Sequence, residues 1–250
     1  MSTHLTADIR WFDTLNSTND TCAELAAAGA PEGLVVAAHS QTAGRGQRGN
    51  TWASATGQNL TFSLLLRPSF LRVEEQFALS QAVAVALCRF VLLVAPRAKV
   101  AIKWPNDIYI GSDKVAGVLI ENSFSSAQLE VSVVGIGINL NQRDFPAHLP
   151  NPTSLALHAN EPIELQAALQ RLLHELAHTY EQLHSGSRDA LERDYLKRLY
   201  RLGQPARYRL PDGHEFDATM VGISPIGELM LQTPNGARRA FGFKEVAFVL

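Results

Sequence analysis

The sequence predicts an α+β fold, in which one mixed β-sheet with helices is followed by a small C-terminal unit of short strands. Before Gly203, strand-like and helix-like patterns follow one another without strict alternation, which argues against a regular β-α-β repeat. After Gly203, short strand-like pieces occur at regular spacing and are separated by the turn sequences PDG, SPIGE and PNG. Such spacing is typical of a small barrel or sandwich.

The individual elements follow from periodicity and from start and stop signals. Strands are predicted at Ile9–Phe12, Leu34–His39, Leu60–Leu66, Val100–Trp104, Ile108–Ile110, Val115–Glu121 and Leu129–Ile138. Helices are predicted at Thr18–Ala28, with Ser17 as N-cap and Gly29 as the stop, at Val73–Val94, at Glu164–Leu183 and at Arg188–Tyr200. The break at LGQPARY, residues 202–208, predicts a larger domain over residues 1–202 and a smaller one over residues 203–250.

Composition limits the class of protein. The 250 residues are 46% hydrophobic and 18% charged, as expected of a compact folded chain. The net charge of -2 provides no overall basic field that would recruit nucleic acid. Two cysteines without a C-x-x-C pair favour a reduced, cytoplasmic protein, and the N-terminus shows no signal-peptide pattern. The longest apolar stretch, Ala82–Ala95, contains Arg89 and is predicted to be a buried helix, too short to span a bilayer.

The sequence GRGQRG, residues 44–49, matches the G-x-G-x-x-G spacing of dinucleotide-binding loops. Its context does not fit, because a strand rather than a helix follows, and no Asp or Glu occurs between Gly33 and Val73. Arg45 and Arg48 instead indicate a loop that holds an anion, and Trp52 offers a flat face on which a base could stack. The alternative is a flexible surface loop with solvated arginines.

A second motif, KWPND at residues 103–107, presents short polar groups where a strand ends. Asn106 and Asp107 stand at this end, and a tight turn follows a few residues later. Lys114 then begins the return strand of a hairpin, and Gly117 lies further along the same strand. A lysine in such a position is most often only solvated, so this motif indicates a binding site only in combination with the other motifs.

A third motif, GIGIN at residues 135–139, places Gly135 and Gly137 on one face of a strand and leaves that face bare. A flat ligand could lie against such a surface. The three motifs together supply cations, a stacking indole and a bare sheet face, but no candidate nucleophile. This set of groups favours a reaction that joins two anions, a carboxylate and the α-phosphate of a nucleotide, because cations offset their repulsion.

The sequence resembles the biotin protein ligases in motifs that occur in the order of that family. These are STN at Ser17–Asn19, QTAGRGQRGNTW at Gln41–Trp52, KWPND at Lys103–Asp107, DKVAGVLIE at Asp113–Glu121 and GIGINL at Gly135–Leu140. The resemblance implies the catalytic fold shared with class II aminoacyl-tRNA synthetases and an SH3-like C-terminal barrel. It also implies a two-step reaction: biotin and ATP give biotinyl-5′-AMP and pyrophosphate, and a lysine of a biotin carboxyl carrier domain then takes the biotin. Mg²⁺ would accompany ATP, with its protein ligands unassigned.

The resemblance also implies roles for single residues. The biotin-binding candidates are Ser17, Thr18, Asn19, Gln41, Gly44, Arg45, Gly46, Gln47, Lys114, Gly117 and Gly135. The candidates for binding ATP and the adenylate are Arg45, Arg48, Trp52, Lys103, Asn106, Lys114 and Asn139. The catalytic candidates are Lys114 beside the reacting carboxylate and phosphate, Arg45 over the adenylate, and Asp107 orienting either the incoming lysine amine or a lysine of the site.

Two departures from the family pattern matter. The family loop commonly reads G-R-G-R, whereas here Gln47 stands fourth and Arg48 follows, so the source of the second cation is open. Some bacterial members carry an N-terminal helix-turn-helix, but here the first predicted strand begins near Ile9, so we expect a short form that binds no DNA. Analogy with short ligases suggests a homodimer, and no membrane association is expected.

The sequence leaves two other functions open. HELAH, residues 174–178, matches the H-E-x-x-H signature of zinc metallopeptidases. On a helix, however, His174 and His178 fall opposite the apolar stripe that contains Leu169 and Leu176, so we expect them to face water. A non-catalytic binder of biotin or of a nucleotide is the nearer alternative, because the sequence alone does not demonstrate turnover.

Overall fold

The computed structural model describes residues 8–159 and 161–249, apart from the side chain of Arg48. The first strands are β1 (Ile9–Leu15), β2 (Val35–Gln41), β3 (Leu60–Leu66), β4 (Val100–Lys103), β5 (Asp107–Ile110), β6 (Asp113–Ser125) and β7 (Gln128–Ile138). The helices are α1 (Thr18–Ala27), α2 (Gln76–Val94), α3 (Leu165–His184) and α4 (Arg188–Lys197). The last strands are β8 (Pro205–Arg209), β9 (Glu215–Ile223), β10 (Leu229–Gln232), β11 (Arg238–Phe241) and β12 (Ala247–Phe248).

Within the described residues, β1 to β7 form a seven-stranded sheet in the order β1-β2-β3-β7-β6-β5-β4. Strands β1 and β2 are parallel, and the other neighbours are antiparallel, so the predicted mixed sheet is confirmed. Strand β3 has the predicted bounds, whereas β6 extends beyond the predicted Val115–Glu121 at both ends because it forms a long hairpin with β7.

Helices pack on both faces of this sheet, and the alternation of side chains along each strand explains how. Val35 and Ala37 of β2 belong to the large core under α2 and α3, while Val36, with Leu34 just before the strand, packs with Cys22 of α1. On β3 and β7, Phe62 and Ile136 likewise face the main core, whereas the α1 face carries Ser63, Gly135 and Gly137 beside Leu65 and Val133. That face therefore has room for a site.

Helix α2 is the core helix that the sequence predicted, but the length argument against a membrane span was wrong. With the turn that precedes it, the helical segment covers Val73–Val94, 22 residues that could cross a bilayer by length and composition alone. What decides its role is burial: from Leu79 to Val91 most side chains are buried in the main core. Arg89 pairs with Asp194 of α4 rather than entering that core.

The predicted helix Arg188–Tyr200 ends earlier, because tertiary pairing captures its last residues. The amide of Ile102 in β4 donates to the carbonyl of Arg198, and the amide of Tyr200 donates back to the carbonyl of Ile102. A strand-like bridge between Ile102 and Leu199 replaces the last helical turn. Helical periodicity in the sequence gives no signal for such a bridge.

The C-terminal strands form an antiparallel sheet in the order β11-β10-β9-β8-β12, and the three predicted turn sequences lie between its first four strands. Tyr208, Met220 and Leu229 from these strands join the core of the first sheet. The indole N–H of Trp104 donates to the carbonyl of Gly227 at 2.8 Å, which ties the turn after β9 to the end of β4. This contact brings the C-terminal sheet beside the KWPND motif.

Candidate active site

A cavity of about 550 Å³ opens on the α1 face of the first sheet. The size is typical of a site for a small molecule. Most of the residues predicted from sequence line it, although they come from distant parts of the chain. These are Ser17, Thr18, Asn19, Gln41, Arg45, Gly46, Gln47, Trp52, Lys103, Asn106, Asp107, Lys114, Gly117 and Gly135.

The glycine face of β7 forms the floor of this cavity, but it is not bare as the sequence suggested. A Cβ on Gly137 would come within 2.3 Å of the indole ring of Trp52, and one on Gly135 within 2.2 Å of Oδ1 of Asn19. Two side chains of the protein therefore lie against the strand where a flat ligand was expected. The glycines are needed here because their neighbours pack directly on the backbone.

The inner end of the cavity is polar and organised around Ser63 of β3. Its hydroxyl lies 2.6 Å from Oδ1 of Asn19 and 2.8 Å from Oγ1 of Thr18. The amide of Thr18 donates to Oε1 of Gln41 at 2.8 Å. Ser17 precedes helix α1, and its hydroxyl makes no capping bond to the helix. All of these residues except Gln41 are buried.

Hydrogen-bond roles at this end can be worked out from what each group is able to donate. An amide oxygen only accepts, so the single proton of Ser63 goes to Asn19, and Thr18 supplies the proton of the contact between the two hydroxyls. Oδ1 of Asn19 and Oγ1 of Thr18 then keep lone pairs for a ligand. Nε2 of Gln41 donates to none of the described residues and is left as a donor. The inner end fits a polar head that has a carbonyl beside N–H donors.

The middle of the cavity contains the ion pair between Lys114 and Asp107, whose Nζ and Oδ1 are 2.7 Å apart. A bulge places Lys114 there: Ile108 pairs with Ala116 and Tyr109 with Lys114, so one extra residue, Val115, occupies β6. Without the bulge, alternation would put Val115 on the face of Gly117 instead. A buried valine in that position could not bind an anion.

Lys114 is held from both sides. Its backbone donates to the carbonyl of Asn151 and accepts from the amide of Thr153, so the segment after β7 fixes the start of β6. Its Nζ lies 5.7 Å from the centre of the Trp52 ring. A Cβ on Gly117 would come within 3.2 Å of this Nζ, so the glycine makes room for the ammonium. The cation is thus fixed in place and points into the cavity.

The Gly-rich loop covers the cavity in a closed, internally bonded turn. The amide of Gly46 donates to the carbonyl of Asn50, and Arg45 bridges to Thr51. The guanidinium of Arg45 is paired with two carboxylates rather than solvated. It makes a two-pronged bond to Glu121, at 2.9 Å for each prong, and a third contact of 2.6 Å to Asp20.

The outer wall of the cavity comes from the C-terminal sheet, for which the sequence predicts no site residues. These wall residues are Arg209, Leu210, Pro211, Phe243, Lys244, Val246, Ala247 and Phe248. Nζ of Lys103 lies 5.7 Å from the ring centre of Phe248, between the two sheets. The sequence contains no signal for this wall, because it depends on how the two sheets pack together.

Three predicted residues lie elsewhere or have no described side chain. Asn139 is buried behind the cavity, where its Nδ2 donates to the carbonyl of Thr153 and its Oδ1 meets no described donor. Gly44 is buried in the loop and does not line the cavity. A Cβ added to Gly44 would come within 2.7 Å of the carbonyl oxygen of Trp52. Arg48 lies in the short turn Gln47–Gly49, and its side chain is outside the described part. Their binding roles stay predictions.

A model of the biotin/lipoate A/B protein ligase family matches residues 11–139 of the chain. The chain belongs to this family. The matched segment begins in β1 and ends at Asn139, so it contains the first sheet and the motifs that line the cavity. The C-terminal sheet lies outside the match.

Curated relatives extend the likeness over most of the chain. The protein named bifunctional ligase/repressor BirA of Bacillus subtilis (strain 168) is 34% identical over 235 residues, which is 92% of this chain and 71% of the relative. The biotin--[acetyl-CoA-carboxylase] ligase of Paracoccus denitrificans is 33% identical over 222 residues, 85% of this chain and 89% of the relative.

Solved structures show the same fold. The biotin protein ligase from Aquifex aeolicus in complex with biotin and ATP superposes with a TM-score of 0.80 at 25% identity, covering 96% of this chain and 98% of that chain. The α+β architecture with its mixed sheet is therefore the catalytic fold of biotin protein ligases.

The zinc alternative has no support in this structure. His174 and His178 are exposed on α3, while Leu172, Leu176 and Leu183 of the same helix are buried, so the predicted solvent-facing side is confirmed. Among the described residues, no group of three or more His, Cys, Asp or Glu side chains could hold a metal ion.

Proposed function

We propose that this protein is an ATP-dependent biotin ligase that forms biotinyl-5′-AMP and transfers the biotin to a lysine of a biotin carboxyl carrier domain. The observation that carries the proposal is the pattern of donors and acceptors at the inner end of the cavity. Biotin ends in a cyclic urea, which has a carbonyl flanked by two N–H groups. Gln41 supplies a donor for the carbonyl, and Asn19 and Thr18 supply acceptors for the N–H groups.

The rest of the ligand follows the line of the cavity outward. The valeryl carboxylate of biotin would reach Lys114, whose ammonium can stabilise both this carboxylate and the α-phosphate of ATP. The nucleotide would lie beyond it, between Trp52, Asn106 and Lys103, below the Gly-rich loop. In the first step a carboxylate oxygen attacks the α-phosphorus and pyrophosphate leaves. In the second step the acceptor amine attacks the acyl carbon and AMP leaves.

Asp107 and Mg²⁺ belong to the same proposal. Mg²⁺ on a nucleotide is often held by one or two carboxylates together with substrate phosphates. Asp107 is the one carboxylate among the described wall residues, so the donor set fits a metal that enters with ATP. When bound, Mg²⁺ would offset phosphate charge. Asp107 also holds Lys114 by an ion pair and could accept a hydrogen bond from the acceptor amine.

We further propose that residues 203–250 form an SH3-like barrel that closes the outer side of the site. The strand order β11-β10-β9-β8-β12 supports this, since β12 returns from the end of the chain to pair with β8. Gly203, at a φ of 71°, marks the turn into this unit. A homodimer, a cytoplasmic location and the absence of DNA binding stay predictions.

One assay separates the candidate functions. The protein is incubated with biotin, ATP and a purified carrier domain, and pyrophosphate release and the mass of the carrier are followed. We expect both pyrophosphate and a biotinylated carrier, and no product when lipoate replaces biotin, because lipoate lacks the urea that the inner end recognises. Biotin binding without pyrophosphate would instead show a non-catalytic binder.

A further inference from the structure

We propose that Glu121 is a positioning residue: it determines how Asn19 presents its amide to the ligand, and it ties this inner end to the Gly-rich loop. Glu121 belongs to none of the predicted sets of site residues, and it does not line the cavity. It lies on β6 two residues beyond Leu119 and four beyond Gly117, on the same strand face. The proposal rests on the biotin ligase function proposed above.

The carboxylate of Glu121 serves two partners at once. Its Oε2 accepts from Nδ2 of Asn19 at 2.6 Å, and the same oxygen accepts from Arg45 at 2.9 Å. Its Oε1 accepts from Arg45 at 2.9 Å. Asn19 is buried at the inner end of the cavity, whereas Arg45 stands in the loop that covers it. One side chain thus links the innermost part of the site to its cover.

The orientation of the Asn19 amide follows from this contact. An ionised carboxylate can only accept, so the NH₂ group of Asn19 must face Glu121 and its oxygen must face Ser63 and the ligand. Nδ2 also lies within hydrogen-bonding distance of the Leu119 carbonyl, at 3.4 Å, so its two protons are both used. An amide in place of the carboxylate would remove this constraint and allow Asn19 to turn a donor toward the N–H groups of the urea.

The contact with Arg45 gives Glu121 its second role. Two-pronged bonds between a guanidinium and a carboxylate are stronger and geometrically more specific than single contacts. Half-exposed ion pairs are weak on their own, and Arg45 and Glu121 are each 42% exposed. This ion pair is stabilised further because Glu121 also bonds the buried Asn19 and is thereby held in place.

Asp20 provides the comparison that separates the two roles. Its Oδ1 accepts from Arg45 at 2.6 Å, so it shares the loop contact of Glu121. It makes no hydrogen bond to Asn19 among those of the described residues. Removing the charge of Asp20 should therefore weaken the attachment of the loop and leave the inner end unchanged. Removing the charge of Glu121 should weaken the attachment of the loop and also disturb the inner end.

The test measures biotin affinity without ATP by calorimetry and the off-rate of the adenylate, for wild type, Glu121→Gln and Asp20→Asn. For Glu121→Gln we expect the biotin Kd to rise about tenfold or more, as for the loss of one buried hydrogen-bond partner, with faster adenylate release. For Asp20→Asn we expect faster release with a biotin Kd within about twofold of wild type. Glu130→Gln, an exposed carboxylate on the neighbouring strand β7, is the matched control and should change neither quantity.

The outcomes are distinguishable. A Glu121→Gln protein that binds biotin within about twofold of wild type would overturn the proposal. So would an equal rise in Kd for Asp20→Asn, since the effect would then arise from loop charge alone. If Glu121→Gln does not fold by circular dichroism, Glu121→Asp decides: it keeps the charge but is one methylene too short to reach both partners, and an unchanged Kd would refute the role. A wild-type protein that does not bind biotin would refute the proposed function instead.

Discussion

The ammonium of Lys114 lies 2.7 Å from the carboxylate of Asp107. Gly117, on the same strand as Lys114, has no side chain and so leaves the space that both groups occupy. Asp107 and Gly117 are direct partners in the β5–β6 register, so the pair is built into the sheet rather than into a loop. A fixed cation loses little energy to reorganisation when charge develops next to it. The positions of these three residues therefore support the proposal that the reacting centre lies at this point of the cavity.

We predict that Lys114→Ala lowers the rate of adenylate formation by about a hundredfold or more while the protein remains folded, as for the loss of one group that stabilises a transition state. Pyrophosphate release with biotin and ATP measures the rate, and a thermal melt checks the fold. Lys99→Ala, at an exposed lysine immediately before the start of β4, is the control and should react like wild type. A Lys114→Ala protein with near-normal release would remove this residue from the first step.

We predict that Gly137→Ala displaces the indole of Trp52, because a Cβ there would lie 2.3 Å from the ring. The KM for ATP should rise about tenfold, in line with the loss of a stacking contact of 1–3 kcal/mol. Steady-state kinetics with saturating biotin measure it. If the clash is the cause, Gly137→Ala combined with Trp52→Ala should be no worse than Trp52→Ala alone. An additive loss in the double variant would contradict this explanation.

Much of the fold was predictable because strong local patterns agree with the tertiary structure. Strand β3 is apolar at every core-facing position and bounded by polar residues, and its predicted limits are confirmed. The stop at Gly29 works because the chain there adopts a φ of 88°, which glycine accepts readily. Where tertiary pairing decides, as at Ile102 and Leu199, local pattern gave the wrong end of a helix.

The site was less predictable, because its geometry depends on contacts between distant segments. Motifs identified the wall residues, but not that Asn19 and Trp52 would cover the glycine face. The motifs also gave no indication of the acidic partners of Arg45, although Glu121 lies inside the DKVAGVLIE motif and shares its face with Gly117. Alternation along β6 was the signal that could have revealed it. The bulge at Val115, by contrast, could not be predicted from the alternation of residues along the strand.

We predict that both thiols are unreactive in the folded protein. Burial raises the pKa of Cys22 to about 12 and that of Cys88 to about 12. Since the thiolate is the reactive form, an aromatic disulfide reagent near pH 8 should label neither in native protein and both after denaturation. Raising the pH by one unit should leave the native protein unlabelled, whereas an exposed thiol would react faster. Rapid native labelling of either cysteine would show that its segment opens.

The last prediction concerns the two central side chains of the Gly-rich loop, Arg45 and Gln47. Arg45 anchors the loop through Glu121 and Asp20, while Gln47 lines the cavity and its Oε1 meets no described donor. A charged hydrogen bond contributes roughly 1.5–3 kcal/mol, so Arg45→Ala should speed adenylate escape by roughly tenfold to a hundredfold. Gln47→Ala should do less, because a neutral amide makes weaker hydrogen bonds than a guanidinium does.

The expected consequence is a difference in where the biotin goes. Biotinyl-AMP is a mixed anhydride, and a closed loop excludes water and stray amines from it. Arg45→Ala should therefore still form the adenylate but release it, so that lysines of a bystander protein such as albumin become labelled. Adenylate off-rates for wild type, Arg45→Ala and Gln47→Ala measure the order directly. Faster escape from Gln47→Ala than from Arg45→Ala would show that the loop is held by its neutral residue, and that the contacts of Arg45 with Glu121 and Asp20 do not keep it closed.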